Sequence, residues 1–166
     1  GGGTGIGRAT CLALAQRGAT VAVNYSRSKA EAEQTAQTIR QAGGRAFAIR
    51  ADVSRDGEVR EMVAAIVREC GTVDALVNNA GITRHLPFDD LEAADEEVWD
   101  ELYNVNVKGM FFCARAVAPH MMRNRQGAIV NVGSIAGLTG LGSSLPYAVS
   151  KAAVHGLTKS LAHALK

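Results

Sequence analysis

The chain has no long hydrophobic run, no block of like charge and no even set of cysteines, and each absence narrows the field. No apolar stretch approaches the ~20 residues a membrane span needs, so no spanning helix is expected. Lysine and arginine nearly balance the acids, with a net charge of +2 and no clustered arm or patch, which argues against nucleic-acid or membrane-surface partners. The three cysteines (Cys11, Cys70, Cys113) are far apart and sit within apolar helical patterns. Three buried, reduced thiols in a cytoplasmic chain account for them better than a disulfide framework does. None of the four histidines pairs at metal-ligand spacing, and no metal is expected.

Glycine, by contrast, is abundant: eighteen residues, clustered at turns between apolar segments rather than spread as low complexity. With 166 residues, 47% of them hydrophobic, the chain is one domain's worth of sequence with ample material for a core. The hydrophobic period alternates between strand-like and helix-like. Ile6, Ala9, Leu12 and Ala13 recur at helical spacing from Thr4 to Arg17, and Gly18 follows as the closing residue. Strands are predicted over Thr20–Asn24, Arg45–Ile49, Val73–Val77 and Gly127–Val132. Helices are predicted over Lys29–Gln41, from Ser54 as a cap to about Cys70, through Trp99, Asn106 and Phe111-Phe112, and from Pro146 to Leu165. The acidic start of the Trp99 helix (Asp95, Glu96, Glu97) suits the positive end of a helix dipole better than a metal. Alternation of this kind predicts an α/β fold of Rossmann type, a doubly wound parallel sheet in three α/β/α layers.

The two ends do not complete that pattern. A glycine-rich turn ordinarily follows a strand, none precedes Gly1, and no strand follows the last helix. The chain is therefore read as a single Rossmann domain, residues 1–166, incomplete at both ends. Loss of the first, central strand is expected to split the sheet.

Gly1-Gly2-Gly3-Thr4-Gly5-Ile6-Gly7 opens the first helix. Glycines allow close backbone approach to a pyrophosphate, and the free amides and dipole of the helix start bind the anion, so Gly1, Gly3, Thr4, Gly5, Ile6 and Gly7 are candidate cofactor contacts. An NAD site usually places a carboxylate at the end of the second strand; here Tyr25 stands in that place, followed by Ser26 and Arg27. Those donors, Arg27 above all, suit a 2′-phosphate, and NADP is favoured over NAD. Asp52, beside Val53 at the end of the next strand, has two readings of equal standing: acceptor for an adenine amino group, or turn aspartate bonded to its own backbone.

Tyr147 and Lys151 are four apart on a predicted helix and share a face. A lysine ammonium beside a tyrosine favours the phenolate, and lowering a phenol's pKa by about 3 units needs about 4 kcal/mol. Tyr147 is then able to give a proton to a carbonyl oxygen as hydride arrives. Ser134 lies thirteen residues earlier, after the fourth strand, placed to hydrogen-bond a substrate oxygen, with Ser143 and Ser144 in a mobile substrate loop as reserve candidates. Asn106 sits inside a helix that its propensity does not favour, either as a satisfied structural residue or as the holder of a relay water.

Gly1-x-x-x-Gly5-Ile6-Gly7, Asn78-Asn79-Ala80-Gly81, Asn106, Ser134 and Tyr147-x-x-x-Lys151 together resemble, in order and spacing, the motifs of the short-chain dehydrogenase/reductase family, over essentially the entire chain. The resemblance implies that Tyr147 is the acid/base, that Lys151 holds the nicotinamide ribose and lowers the tyrosine pKa, that Ser134 polarises the carbonyl, and that Asn106 supports a relay water. It further implies that Asn78, Ala80 and Gly81 lie along the cofactor. Val77–Arg84 and Asn104–Gly109 are most similar to 3-oxoacyl-[acyl-carrier-protein] reductases. The expected reaction is NADPH-dependent reduction of a ketone, a 3-oxoacyl thioester on acyl carrier protein or CoA, with Arg84 a candidate contact to the carrier. Sugar, steroid or secondary-alcohol dehydrogenation and a non-catalytic NADP sensor are the competing readings. Apolar surface on the Asn106 helix and the last helix leads to the expectation of a homodimer or homotetramer.

Overall fold

The computed structural model describes all 166 residues, Gly1–Lys166, and the chain divides into two compact units, Gly1–Val73 and Asp74–Lys166. The first unit runs α1 (Gly5–Gln16), β1 (Thr20–Tyr25), α2 (Lys29–Gln41), β2 (Arg45–Arg50) and α3 (Asp56–Cys70). β1 and β2 pair in parallel from Thr20 opposite Arg45 to Tyr25 opposite Arg50, each one residue longer than the apolar run predicts. Period-2 alternation on β1 turns Val21 and Val23 inward. They meet Ala32, Ala36 and Ile39 of α2 together with Cys11 and Ala46, so the apolar residues of α2 at i, i+4 and i+7 form its buried stripe. Gly43, in the left-handed conformation, follows α2, and Gly44 has no room for a side chain because a Cβ there meets Ile39 Cγ2 at 2.8 Å.

Three expectations fail in this unit. Ile6 and Ala9 of α1 are exposed, and the helix instead buries Gly7 and Cys11. Ser54 does not cap α3: Asp52, two residues earlier, takes both the amide and the hydroxyl of Ser54 in a local turn, so the helix begins after Arg55 with no side-chain cap. Cys70 is exposed rather than buried, since it is the last residue of α3 before the left-handed Gly71.

The second unit runs β3 (Ala75–Asn78), α4 (Glu96–Tyr103), a π turn (Asn104–Lys108), α5 (Gly109–Asn124), β4 (Ala128–Asn131), the one-turn helix α6 (Ala136–Thr139) and α7 (Leu145–Ala164). β3 and β4 pair in parallel, Ala75 opposite Ala128 through Asn78 opposite Asn131. A polar ladder continues from this pair: the Asn78 amide donates to Asn131 Oδ1 (2.9 Å) and to the Met110 carbonyl (3.3 Å), and Asn131 donates to Thr158 Oγ1 (2.9 Å) on α7. The architecture is α/β with parallel strands throughout, arranged as two two-stranded sheets, β1–β2 and β3–β4.

Asp95 caps α4, accepting from the Val98 amide at 2.9 Å, which is the dipole-complementing role its sequence position suggests. The single helix predicted through Asn106 is found as α4 and α5 joined without a gap by the π turn, a local widening that recurs within α-helices. Ser144 is not in a mobile loop. It is fully buried as the N-cap of α7 and accepts from the Tyr147 amide at 3.4 Å.

Candidate active site

In the first unit the glycine turn lies against the end of β1, where the Gly2 amide donates to the Asn24 carbonyl at 2.9 Å. A Cβ on Gly2 meets Val23 Cγ1 at 2.8 Å and one on Gly3 meets the Ala32 amide nitrogen at 2.8 Å, so only glycine lets the backbone come this close. Gly5 enters α1 with φ +51°, and Thr4 at the N-cap makes no side-chain cap bond. The first turn of α1 carries no acid, and Thr4, Gly5 and Ile6 are exposed around it while Gly7 is buried. Free amides, a positive helix end and no competing carboxylate make an anion cradle.

The strand ends bring Tyr25, Ser26 and Arg27 to the same edge as Asp52 and Val53: Tyr25 stands opposite Arg50, and its carbonyl accepts from the Ala51 amide at 2.9 Å. Arg27 is exposed. Asp52 commits Oδ1 to Ser54, at 3.0 Å from the amide and 2.7 Å from the hydroxyl. Burial pushes its carboxyl up, but the Ser54 hydrogen bonds and the charges of Arg55 and Arg27 outweigh it and hold the group below the usual carboxylate range.

In the second unit Tyr147 and Lys151 share one face of α7, with Lys151 Nζ 5.9 Å from the centre of the Tyr147 ring. Lys151 is only 5% exposed, and its ammonium donates to the Val132 carbonyl, just beyond β4, at 3.1 Å. Burial holds its pKa below the ordinary lysine value. Asn106, on the π turn, is fully buried and clasps one backbone unit from both sides: Oδ1 accepts from the Ile82 amide (2.9 Å) and Nδ2 donates to the Ile82 carbonyl (3.0 Å). A Cβ on Gly81 would lie 3.3 Å from Asn106 Oδ1 and 3.4 Å from Lys151 Nζ. Gly81, Asn106 and Lys151 are thus brought together from a loop, a π turn and α7.

Ser134 is half-buried and its Oγ accepts from the Ala136 amide at 3.2 Å, at the entry to α6. Asn78 is buried with its amide committed to Asn131 and Met110, and Ala80 is half-buried. Ser143 Oγ hydrogen-bonds Thr83 Oγ1, and its carbonyl accepts from the Leu86 amide at 2.9 Å, tying the segment before α7 to the loop after Gly81. Arg84 is paired with Glu101 at 2.7 Å, so its guanidinium already has a carboxylate partner at the surface.

Sequence reasoning did not single out Ser150, the Val132 carbonyl or the Ile82 backbone, all of which contact the expected site residues. Ser150, three residues after Tyr147, carried a signal in its spacing. The two backbone groups carried none, because any residue supplies them.

A family model described as short chain dehydrogenase matches residues 1–166. The 3-oxoacyl-[acyl-carrier-protein] reductase FabG of Staphylococcus epidermidis is 45% identical over 161 residues, which is 97% of this chain and 65% of that protein. The short-chain dehydrogenase/reductase homolog YusS of Bacillus subtilis is 65% identical over 98 residues, 59% of this chain and 90% of that protein. Among solved structures, a gluconate 5-dehydrogenase from Burkholderia cenocepacia in complex with NADP and tartrate superposes with a TM-score of 0.87 at 36% identity, over 97% of this chain and 62% of that one. The chain spans 65% of the length of the reductase that it matches almost end to end.

Proposed function

The chain belongs to the short chain dehydrogenase family, and we propose that it serves an NADPH-dependent reduction of a ketone, a 3-oxoacyl thioester, to a secondary alcohol. The observation that carries the reading is the buried Lys151 beside Tyr147, with its ammonium end and Asn106 Oδ1 each 3.3–3.4 Å from where a Cβ on Gly81 would lie. Burying an ammonium is costly and serves packing poorly, so a charge kept there beside a phenol points to proton chemistry.

Each unit, taken by itself, has residues that suit one part of a dinucleotide. The cradle at Gly3, Thr4, Gly5, Ile6 and Gly7, with Gly1 at its edge bonded to Asn24, offers amides to a pyrophosphate with no acid in the first turn, and Gly2 and Gly3 have no space for a Cβ. Tyr25, Ser26 and Arg27 at the strand end would hold a 2′-phosphate, with Asp52 and Val53 beside an adenine; Asn78, Ala80, Gly81, Tyr147 and Lys151 would hold the nicotinamide ribose. NADPH, when bound, supplies the hydride. Tyr147 donates its phenolic proton to the carbonyl oxygen as that oxygen gains charge. Ser134 donates a hydrogen bond to the same oxygen. The Lys151 ammonium, steadied by the Val132 carbonyl, stabilises the phenolate that remains. Asn106 fixes the Ile82 backbone beside Gly81 and supports the path by which the phenolate regains a proton.

The FabG relative favours an acyl-carrier or CoA thioester as substrate, whereas the gluconate dehydrogenase supports a sugar-acid substrate as the second reading. The test compares NADPH with NADH oxidation on acetoacetyl-CoA and on a 5-oxo sugar acid. NADPH-dependent turnover of the thioester is expected, while turnover confined to the sugar acid moves the substrate to the second reading. Tyr147→Phe is expected to lower kcat by about 10²–10⁴-fold in a protein that still binds NADP. A rate equal to wild type rules out the proton-donor role, and a protein that binds NADP but turns over nothing is a sensor. Phe111 and Val149 are partly exposed on α5 and α7, supporting a homodimer or homotetramer, and a monomer by light scattering at micromolar concentration contradicts it.

A further inference from the structure

Ser150 takes part in no step described above, yet it is among the most enclosed polar groups of the second unit, with none of its surface exposed. Its hydroxyl is used twice. It donates to the Tyr147 carbonyl at 2.8 Å, one turn back along α7, and it accepts from Asn106 Nδ2 at 3.0 Å. The same Asn106 amide donates to the Ile82 carbonyl while Oδ1 accepts from the Ile82 amide. A buried path of hydrogen bonds therefore runs from the backbone after Gly81, through the π turn, to the turn of α7 that bears the tyrosine. Every link is between 2.8 and 3.0 Å.

We propose that Ser150 is a positioning residue for Tyr147, holding the first turns of α7 in register with Asn106 and the Ile82 backbone so that the phenol and Lys151 keep their relative placement. The proposal rests on the reading of Tyr147 as proton donor. A serine back-bonded to the carbonyl three residues earlier would, with no other partner, be an ordinary helix feature that only bends the axis slightly. Here the hydroxyl also satisfies an amide hydrogen of a fully buried asparagine, whose other amide hydrogen and oxygen are already taken by the Ile82 backbone. Lys151, the next residue, fixes the other side of the turn through the Val132 carbonyl. The two anchors, one at Ser150 and one at Lys151, leave the tyrosine turn little freedom to slide or roll. A misplacement of a reacting group by about 1 Å is enough to cost one or two orders of magnitude in rate.

Ser150→Ala tests this in the full-length protein. The expected result is a kcat lower on the order of tenfold to a hundredfold, with KM for the ketone and the Kd for NADPH within a factor of about two of wild type. If the alanine variant lacks a cooperative melting transition, Ser150→Cys, which leaves no void and puts a somewhat larger, poor hydrogen-bonding group in place of the hydroxyl, is read by the same criteria. A readout independent of turnover accompanies the kinetics: 19F NMR of protein carrying 3-fluorotyrosine, with the Tyr147 signal assigned through Tyr147→Phe. That signal is expected to be single and sharp in wild type and displaced or broadened in the variant. Wild-type kcat together with an unchanged Tyr147 resonance overturns the proposal. A wild-type protein that reduces no ketone overturns the proposed activity instead, and the fluorine signal still decides whether Ser150 positions the ring.

Discussion

A lysine held almost entirely out of water leaves a mark on stability that can be measured without any substrate. Burial holds the folded-state pKa of Lys151 below its ordinary value, about 10.4 in an unfolded chain. Between the lowered value and the ordinary one the unfolded chain binds more protons than the folded one, so the Lys151 contribution to stability rises with pH across that window. Below the folded pKa the full cost of burying the ammonium is present, and above about pH 10.4 it is gone. The stability of Tyr147→Phe relative to Tyr147→Phe/Lys151→Met is therefore expected to increase from about pH 7 to about pH 10.5 in urea denaturation, the phenol beside the lysine being absent from both. A gap independent of pH contradicts the buried ammonium. Residues of this kind were partly legible in the sequence. The Tyr147–Lys151 spacing places both on one helical face whatever surrounds them, and Asn106 stood out as a residue its helix does not favour. The partner of each hydroxyl was not legible. Ser54 was expected to cap a helix and Ser144 to lie in a substrate loop, yet Asp52 captures the first, while the second is the buried cap of α7. Asp52 was left between two readings, and its Oδ1 is in fact committed to the local turn.

At the scale of elements, the short helix α6 and the long helix α7 touch backbone to backbone. A Cβ on Gly137 would lie 2.5 Å from the Lys151 carbonyl carbon and 2.7 Å from the Ala152 amide nitrogen, atoms that cannot swing aside as a side chain end does. Gly137→Ala is expected to destabilise the protein by about 1–3 kcal/mol through overpacking, and to lower activity because the strain falls on the residue that carries the lysine. Gly156, inside α7, has nothing within 4 Å of its virtual Cβ. Gly156→Ala is expected to stabilise by about 0.5–1 kcal/mol, the difference in helix propensity and unfolded-chain freedom. Urea denaturation of both variants checks the pair, and a Gly137→Ala variant as stable as wild type would mean that the contact of α6 with α7 is wrong. The long elements were readable because ten or more residues display their period: α2 is found with the very ends its apolar spacing implied. The π turn was not, since one extra residue in a helix barely alters the recurrence of apolar positions. Nor was α6, whose four residues are too few to show any period and lie in a stretch that composition alone marks as loop.

For the molecule as a whole, composition and alternation were enough to give parallel strands between helices, and a strand pair with its own helices forms in each unit. The expectation that all three thiols are buried failed at one position, and that failure provides a probe of both cores. Cys11 lies in the apolar cluster of the first unit and Cys113 on the buried face of α5 in the second, while Cys70 is exposed at the end of α3. Burial raises the Cys11 thiol and pushes Cys113 up to about 11. The reactive species is the thiolate. At pH 8 the thiolate fraction of Cys113 is on the order of one in a thousand even before steric shielding is counted. Titration of the native protein with a chromogenic disulfide reagent is expected to modify Cys70 quickly and to leave Cys11 and Cys113 unmodified until their own unit opens, all three reacting at once in denaturant. Cys70→Ser should abolish the fast phase and nothing else. Because the two slow thiols belong to different units, Cys11→Ser and Cys113→Ser then assign one slow phase to each. If Cys11 or Cys113 reacts as fast as Cys70 in the native protein, the core of that thiol's unit is not formed as the structure describes.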